Sequence, residues 1–162
     1  MDTFIGSLIN NWPEKNDTFI VMCNKNHPGL TYLEGLLPEN TQLIKHSIKL
    51  NWSIATKFIS NFPMLFQRIL RQLLRIILSP IQYVQIKSLL SKYDGDRLIS
   101  VNGSYPGGET CRLVNIAWKS LGKPSSVHNV HNYAVKNRWI FSFYESFIDG
   151  QLEDSCKNII SV

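Results

Sequence analysis

The chain has 162 residues, 44% of them hydrophobic and 18% charged, with a formal charge of +5. That composition excludes a disordered polypeptide and leaves room for one domain with a sizeable core. The basic balance, with a pI of about 9.2, invites an anionic partner, and phosphate-bearing substrates, nucleic acid and anionic lipid satisfy it equally.

Phe4, Ile5, Leu8, Ile9 and Trp12 recur at helical spacing and Pro13 closes the segment, so the chain is expected to open on a helix. Met1 is followed by Asp2 with no basic n-region or small-residue cleavage site, so no secretory signal is expected. Phe19 to Cys23 is a short apolar run ending in Asn24-Lys25-Asn26 and predicts a buried strand. His27-Pro28-Gly29 predicts a turn, Leu30 to Leu37 a short helix, and Thr41 to Ile48 a second strand.

Ile54 to Leu78 and Ile81 to Tyr93 read as helices broken at Ser79-Pro80, because proline cannot donate the helix hydrogen bond. The apolar stretch from Phe62 to Leu78 is interrupted by Gln67, Arg68, Arg71, Gln72 and Arg75, which excludes a conventional transmembrane helix. Arg97 to Asn102 predicts a strand, Gly103 to Gly108 a tight loop, and Glu109 to Leu121 a helix stopped by Gly122-Lys123-Pro124. Ser125 to His131 predicts the next strand, Trp139 to Ile148 a helix and Lys157 to Val162 a last strand.

Strands alternating with helices over short connections imply βαβ units. The expected fold is a Rossmann-like, doubly wound parallel sheet with helices on both faces. Such a domain normally begins on a central strand and a glycine-rich turn, whereas this sequence begins on the helix that should follow them. The last strand, Asn158 to Val162, has no helix after it to cover it. The expectation is therefore a single incomplete domain over 1–162 that lacks its first strand.

Cys23, Cys111 and Cys156 are odd in number, widely separated and free of any CxxC or Cys/His cluster. They predict reduced thiols in a cytoplasmic protein, with no disulfide framework and no metal site.

Three segments bear on chemistry. In the first, strand 97–102 ends in Gly103-Ser-Tyr105-Pro106-Gly107-Gly108 and passes straight into a helix. Such a junction turns backbone N–H groups and the positive helix end toward the carboxyl edge of a sheet, where ligands of open α/β folds bind. The loop is neither a Walker A sequence nor GxGxxG, and a tight turn whose glycines only satisfy geometry fits it too.

The second segment is Ser126 to Tyr133. Alternation puts Val127, Asn129 and His131 on one strand face, and His128 and Val130 on the other. His131 stands where the strand runs out, beside the 103–108 loop, and could bind a sugar hydroxyl or a phosphate. A histidine that caps a turn or is hydrogen-bonded in the core would look the same.

In the third, Arg68, Arg71, Gln72 and Arg75 fall at i, i+3, i+4 and i+7 and make one basic stripe on an apolar helix. The stripe reads either as a solvated face or as a peripheral contact with anionic membrane or a lipid-linked acceptor. Nucleic acid is not expected, because no aromatic residues interleave with the arginines as a stacking platform.

The run VNGSYPGGETCRLVNIAWKSLGKPSSVHNVHNYA, Val101 to Ala134, resembles the acceptor-domain signature of group 1 glycosyltransferases, the family 4 retaining enzymes of GT-B fold. The opening FIGSLINNW and the following DTFIVMCNKNHPGL resemble the segment after that family's first Gly-Gly loop. The resemblance implies the N-terminal, acceptor-side half of a GT-B enzyme, acting in polysaccharide or cell-envelope biosynthesis. A sugar would pass from a nucleotide-sugar to a glycan or lipid-linked acceptor with retained configuration and no metal or other cofactor. His131 matches the family's cleft histidine, Asn132 neighbours it, and Gly103, Tyr105, Pro106, Gly107 and Gly108 match a loop at the same cleft. The family's first Gly-Gly loop and its C-terminal nucleotide-sugar domain have no counterpart in the sequence, so the chain alone is expected to be inactive. The implied location is the cytoplasm, at most peripheral to the inner face of the membrane. Two other readings stay open: a Rossmann-like protein for a phosphate ligand, and a noncatalytic membrane-association module. A dinucleotide enzyme would need an acidic residue ending a strand that here ends Cys23-Asn24.

Overall fold

A computed structural model describes residues 2–49, 59, 62–102, 108–131 and 142–161. The chain is mixed α/β and divides into two compact units, residues 1–48 and 49–162.

In the first unit, helix α1 (Asp2–Asn10) leads to strand β1 (Phe19–Asn24), helix α2 (Leu30–Leu36) and strand β2 (Thr41–His46). The strands pair in parallel from Phe19 opposite Thr41 to Asn24 opposite His46. Helix α1 rests on α2 at Gly6, where a Cβ would come within 2.7 Å of the Leu36 Cβ, so only glycine permits that approach. Ile9 and Leu33 are buried. Trp12 meets Phe19 edge-on at 5.7 Å between ring centroids, and its indole N–H donates to Asp17 at 2.9 Å.

The second unit holds helix α3 (Met64–Leu90), strand β3 (Ile99–Asn102), helix α4 (Glu109–Ser120), strand β4 (Ser126–Val130), helix α5 (Ser142–Ser155) and strand β5 (Cys156–Ser161). The three strands form a parallel sheet in the order β3-β4-β5. Helix α3 packs on α4, and α4 packs on α5 and against β3 and β4. Leu113, Ala117, Trp118, Val130, Ile148 and Leu152 are buried there.

The parallel strands lie close to their predicted positions, but in two small sheets rather than one. Two helices depart further. The break expected at Ser79-Pro80 does not occur, and α3 runs for 27 residues through Pro80. Pro80 is exposed, and side-chain hydrogen bonds anchor the helix on either side of it. Ser79 Oγ donates to the Arg75 carbonyl at 2.6 Å, and Gln82 Nε2 to the Lys49 carbonyl at 3.0 Å. Ile86 and Leu90 beyond the proline are buried. Helix α5 was expected to stop at Ile148 but continues to Ser155, because Leu152 repeats the buried position of Ile148 one turn later.

Candidate functional site

The carboxyl edge of the β3-β4-β5 sheet is assembled by register. Asn102, the last residue of β3, pairs with Val130, the last of β4. His131 follows at once and is half-buried. The two strands thus end side by side, with His131 directly after β4. Gly103, Tyr105, Pro106, Gly107 and Asn132 lie outside the described residues.

Gly108 closes the loop as the N-cap of α4, exposed and left-handed at φ 68° and ψ 37°, a conformation that penalises any residue with a Cβ. Asn129, near the end of β4, is buried, and its Oδ1 has no hydrogen-bond partner among the described residues. A buried acceptor without a partner is uncommon in a folded protein.

On the opposite face of β4 lies a neutral network that the sequence did not reveal. His128 is fully buried. Its Nδ1 sits 2.6 Å from Ser100 Oγ and 3.1 Å from Asn115 Nδ2. Asn115 Nδ2 also donates to Ser100 Oγ and to the Cys111 carbonyl, both at 2.7 Å, and Asn115 Oδ1 accepts from Ser126 Oγ at 2.6 Å. The donors satisfy one another in a single direction, from Ser126 to Asn115 to Ser100 to His128. Nδ1 is then an acceptor and the neutral ring carries its proton on Nε2, which has no partner among the described residues. Burial, with the nearby Arg112 charge, pushes the His128 pKa down to about 4.

A charged cluster joins α3, α4 and α5. Arg75 binds Glu109 through Nε and Glu145 through Nη1. Arg112 Nη1 bridges Glu145 and Asp149 at 2.9 Å each. The Tyr144 hydroxyl reaches Glu109 and, at 2.8 Å, Ser79 Oγ, while the Arg75 guanidinium lies over the Tyr144 ring at 5.2 Å. Burial pushes the Glu145 carboxyl up, but the Arg75 hydrogen bond and the Arg112 and Arg75 charges outweigh it and hold the group below its ordinary range. Glu109 begins α4, where the positive helix end favours a carboxylate.

The cluster corrects the reading of Arg75. It does not stand on an open basic stripe but faces the two carboxylates inside the unit. Arg71 is half-buried, with Nη2 donating to Gln67 at 2.8 Å, and the Arg68 side chain lies outside the described residues. The sequence signal for the cluster is Glu109 and Arg112, charged residues one turn apart on a helix that also carries Leu113, Ala117 and Trp118.

Among the described residues no group of three His, Cys, Asp or Glu side chains could hold a metal ion, and no helix is long and apolar enough to cross a membrane. A depression of about 190 Å³ in the first unit, lined by Ile9, Trp12, Asp17, Phe19 and Pro38 among others, contains none of the expected site residues. Comparison with protein-family models, curated proteins and solved structures finds no match to this chain.

Proposed function

We propose that the chain is the acceptor-side lobe of a retaining, nucleotide-sugar-dependent glycosyltransferase, a Rossmann-like half that works with a separate donor-binding domain. The observation that carries the reading is the placement of His131. It follows the middle strand of a parallel sheet at its carboxyl edge, beside the end of β3 and two residues after Asn129 with its orphan oxygen. Ligands of open α/β sheets gather at that edge.

In this reading the His131 imidazole hydrogen-bonds the transferred sugar or the acceptor hydroxyl, and the 103–108 loop, with Asn132, lines the acceptor side. The Gly108 turn lets a substrate come close to the backbone. The charged cluster behind it holds α4 and α5 in place and takes no part in the chemistry. The setting is a reducing cytoplasm, in keeping with the free cysteines Cys23, Cys111 and Cys156.

The test is His131→Ala in the chain joined to its donor-binding domain. Losing a hydrogen bond that strengthens in the transition state should lower turnover by about 30- to 1000-fold, or about 2–4 kcal/mol, with an unchanged melting temperature. A near-normal rate, or a loss that only tracks unfolding, would sink the assignment.

A further inference from the structure

Helix α3 buries Ile86 and Leu90 but also turns polar groups inward and leaves a long apolar face uncovered. Arg75, Ser79 and Gln82 face inward, while Phe66, Ile69, Leu73, Ile77, Ile81 and Val84 are each between 43% and 63% exposed. These six span eighteen residues in five steps, the 3.6-residue period of an α-helix, so they form one stripe along it. Together they expose roughly 600–700 Å² of apolar side chain, above most apolar patches on monomers and near the ~800 Å² each partner contributes to a stable interface.

We infer that this stripe is the contact face of an antiparallel homodimer. Its occupant is a second copy because the stripe is its own mirror. The steps along it are three, four, four, four and three residues, symmetric about position 75. A two-fold axis crossing α3 there sets Phe66 against Val84, Ile69 against Ile81 and Leu73 against Ile77 of the partner subunit, and the reverse contacts repeat across the axis. That is the self-complementarity an isologous interface demands. The pairing also matches size, the largest side chain at one end meeting the smallest at the other.

Charge favours a protein surface over a lipid one. No charged side chain is exposed on α3 among the described residues. Depletion of charge marks the centre of protein interfaces, whereas a helix lying on an anionic membrane flanks its apolar band with Lys and Arg. The inference is independent of the proposed glycosyltransferase role.

Sedimentation velocity of the full chain at tens of micromolar tests it. The wild type should sediment as a dimer, twice the 18.6 kDa of one chain. Phe66→Lys and Val84→Glu singly should each weaken the dimer at least tenfold, with far-UV circular dichroism unchanged because both positions are exposed. The two substitutions in one chain should restore it, since the antiparallel pairing sets Lys against Glu twice, while a parallel pairing sets like charges together. A monomeric wild type, a dimer indifferent to the single variants, or a double variant that stays monomeric would overturn the proposal. So would a monomer that binds anionic vesicles and loses that binding in both single variants.

Discussion

Helix α4 supports two polar clusters built on opposite principles. At its start, Glu109 and Arg112 join a cluster of two guanidiniums and three carboxylates spread over three helices. Two turns on, Asn115 enters a network with Ser100, Ser126 and His128 that ties the helix to the sheet without a formal charge. The charged cluster gives up hydration for attraction, so its net contribution is small while the loss of one member is costly. The neutral network costs little to bury as long as every donor meets an acceptor, and its one loose end is His128 Nε2. Each is therefore vulnerable in its own way, the first to deletion of a charge and the second to arrival of one.

Arg112→Met should destabilise the chain most. It leaves Glu145 and Asp149 without the cation that bridges them, inside a unit where Arg112 is fully buried. Urea denaturation should show a loss of about 3–5 kcal/mol. A loss below about 1 kcal/mol would mean that the cluster behaves as a water-screened surface pair.

Acid should strike the neutral network next. The His128 pKa lies at about 4 in the folded chain against an ordinary 6.5, so between these values the unfolded chain binds the extra proton. The contribution is therefore complete above pH ~6.5 and is lost as the pH falls toward ~4, on the order of 3 kcal/mol in all. Glu145, held below its ordinary 4.5, begins to add its own loss as the pH falls below about 4.5. Stability of the wild type measured from pH 7 to 4 should slope downward, and His128→Asn should flatten that slope. An equal slope in the variant would remove His128 as its source.

Tyr144→Phe should cost least. The ring stays under the Arg75 guanidinium and only the hydroxyl contacts to Glu109 and Ser79 go. A loss of about 1 kcal/mol by the same denaturation assay is expected, and one as large as that of Arg112→Met would show that the hydroxyl, not the arginines, organises the cluster.

How much of this could be read in advance depended on range. The strands stood out because apolar runs such as Phe19 to Cys23 end in turn residues, and the structure places them within about two residues of expectation. The edge position of His131 was legible for the same reason, since a strand's end fixes where its next residue emerges. The arginine stripe misled because periodicity says which residues share a face, not which face is inside. An apolar stripe on the other side of α3 made the inward choice look settled, and only Glu109 and Glu145, 34 and 70 residues from Arg75, reverse it. The His128 network was hidden likewise: Ser100, Asn115 and His128 come from three elements, and no local pattern links a serine to a histidine 28 residues away. Pro80 carried a true local penalty that side-chain bonds on both sides of it override.

One junction ties the geometry of α5 to that of the sheet. The helix ends at Ser155 and β5 begins at Cys156 with no residue between them, and Ser126 Oγ contacts both the Ser155 carbonyl and the Cys156 sulfur. The pairing of β4 with β5 takes up an irregularity at this same point, between Ser126 and Val127. With no slack, helix and strand behave like meshed gears. One added residue at 155–156 would either turn the inward face of α5 by about 100° or exchange the two faces of β5. The first would carry Glu145 and Asp149 away from Arg112, and the second would exchange the faces of Ile159 and Ile160. The phase of the charged cluster is thus set by the register of the last strand.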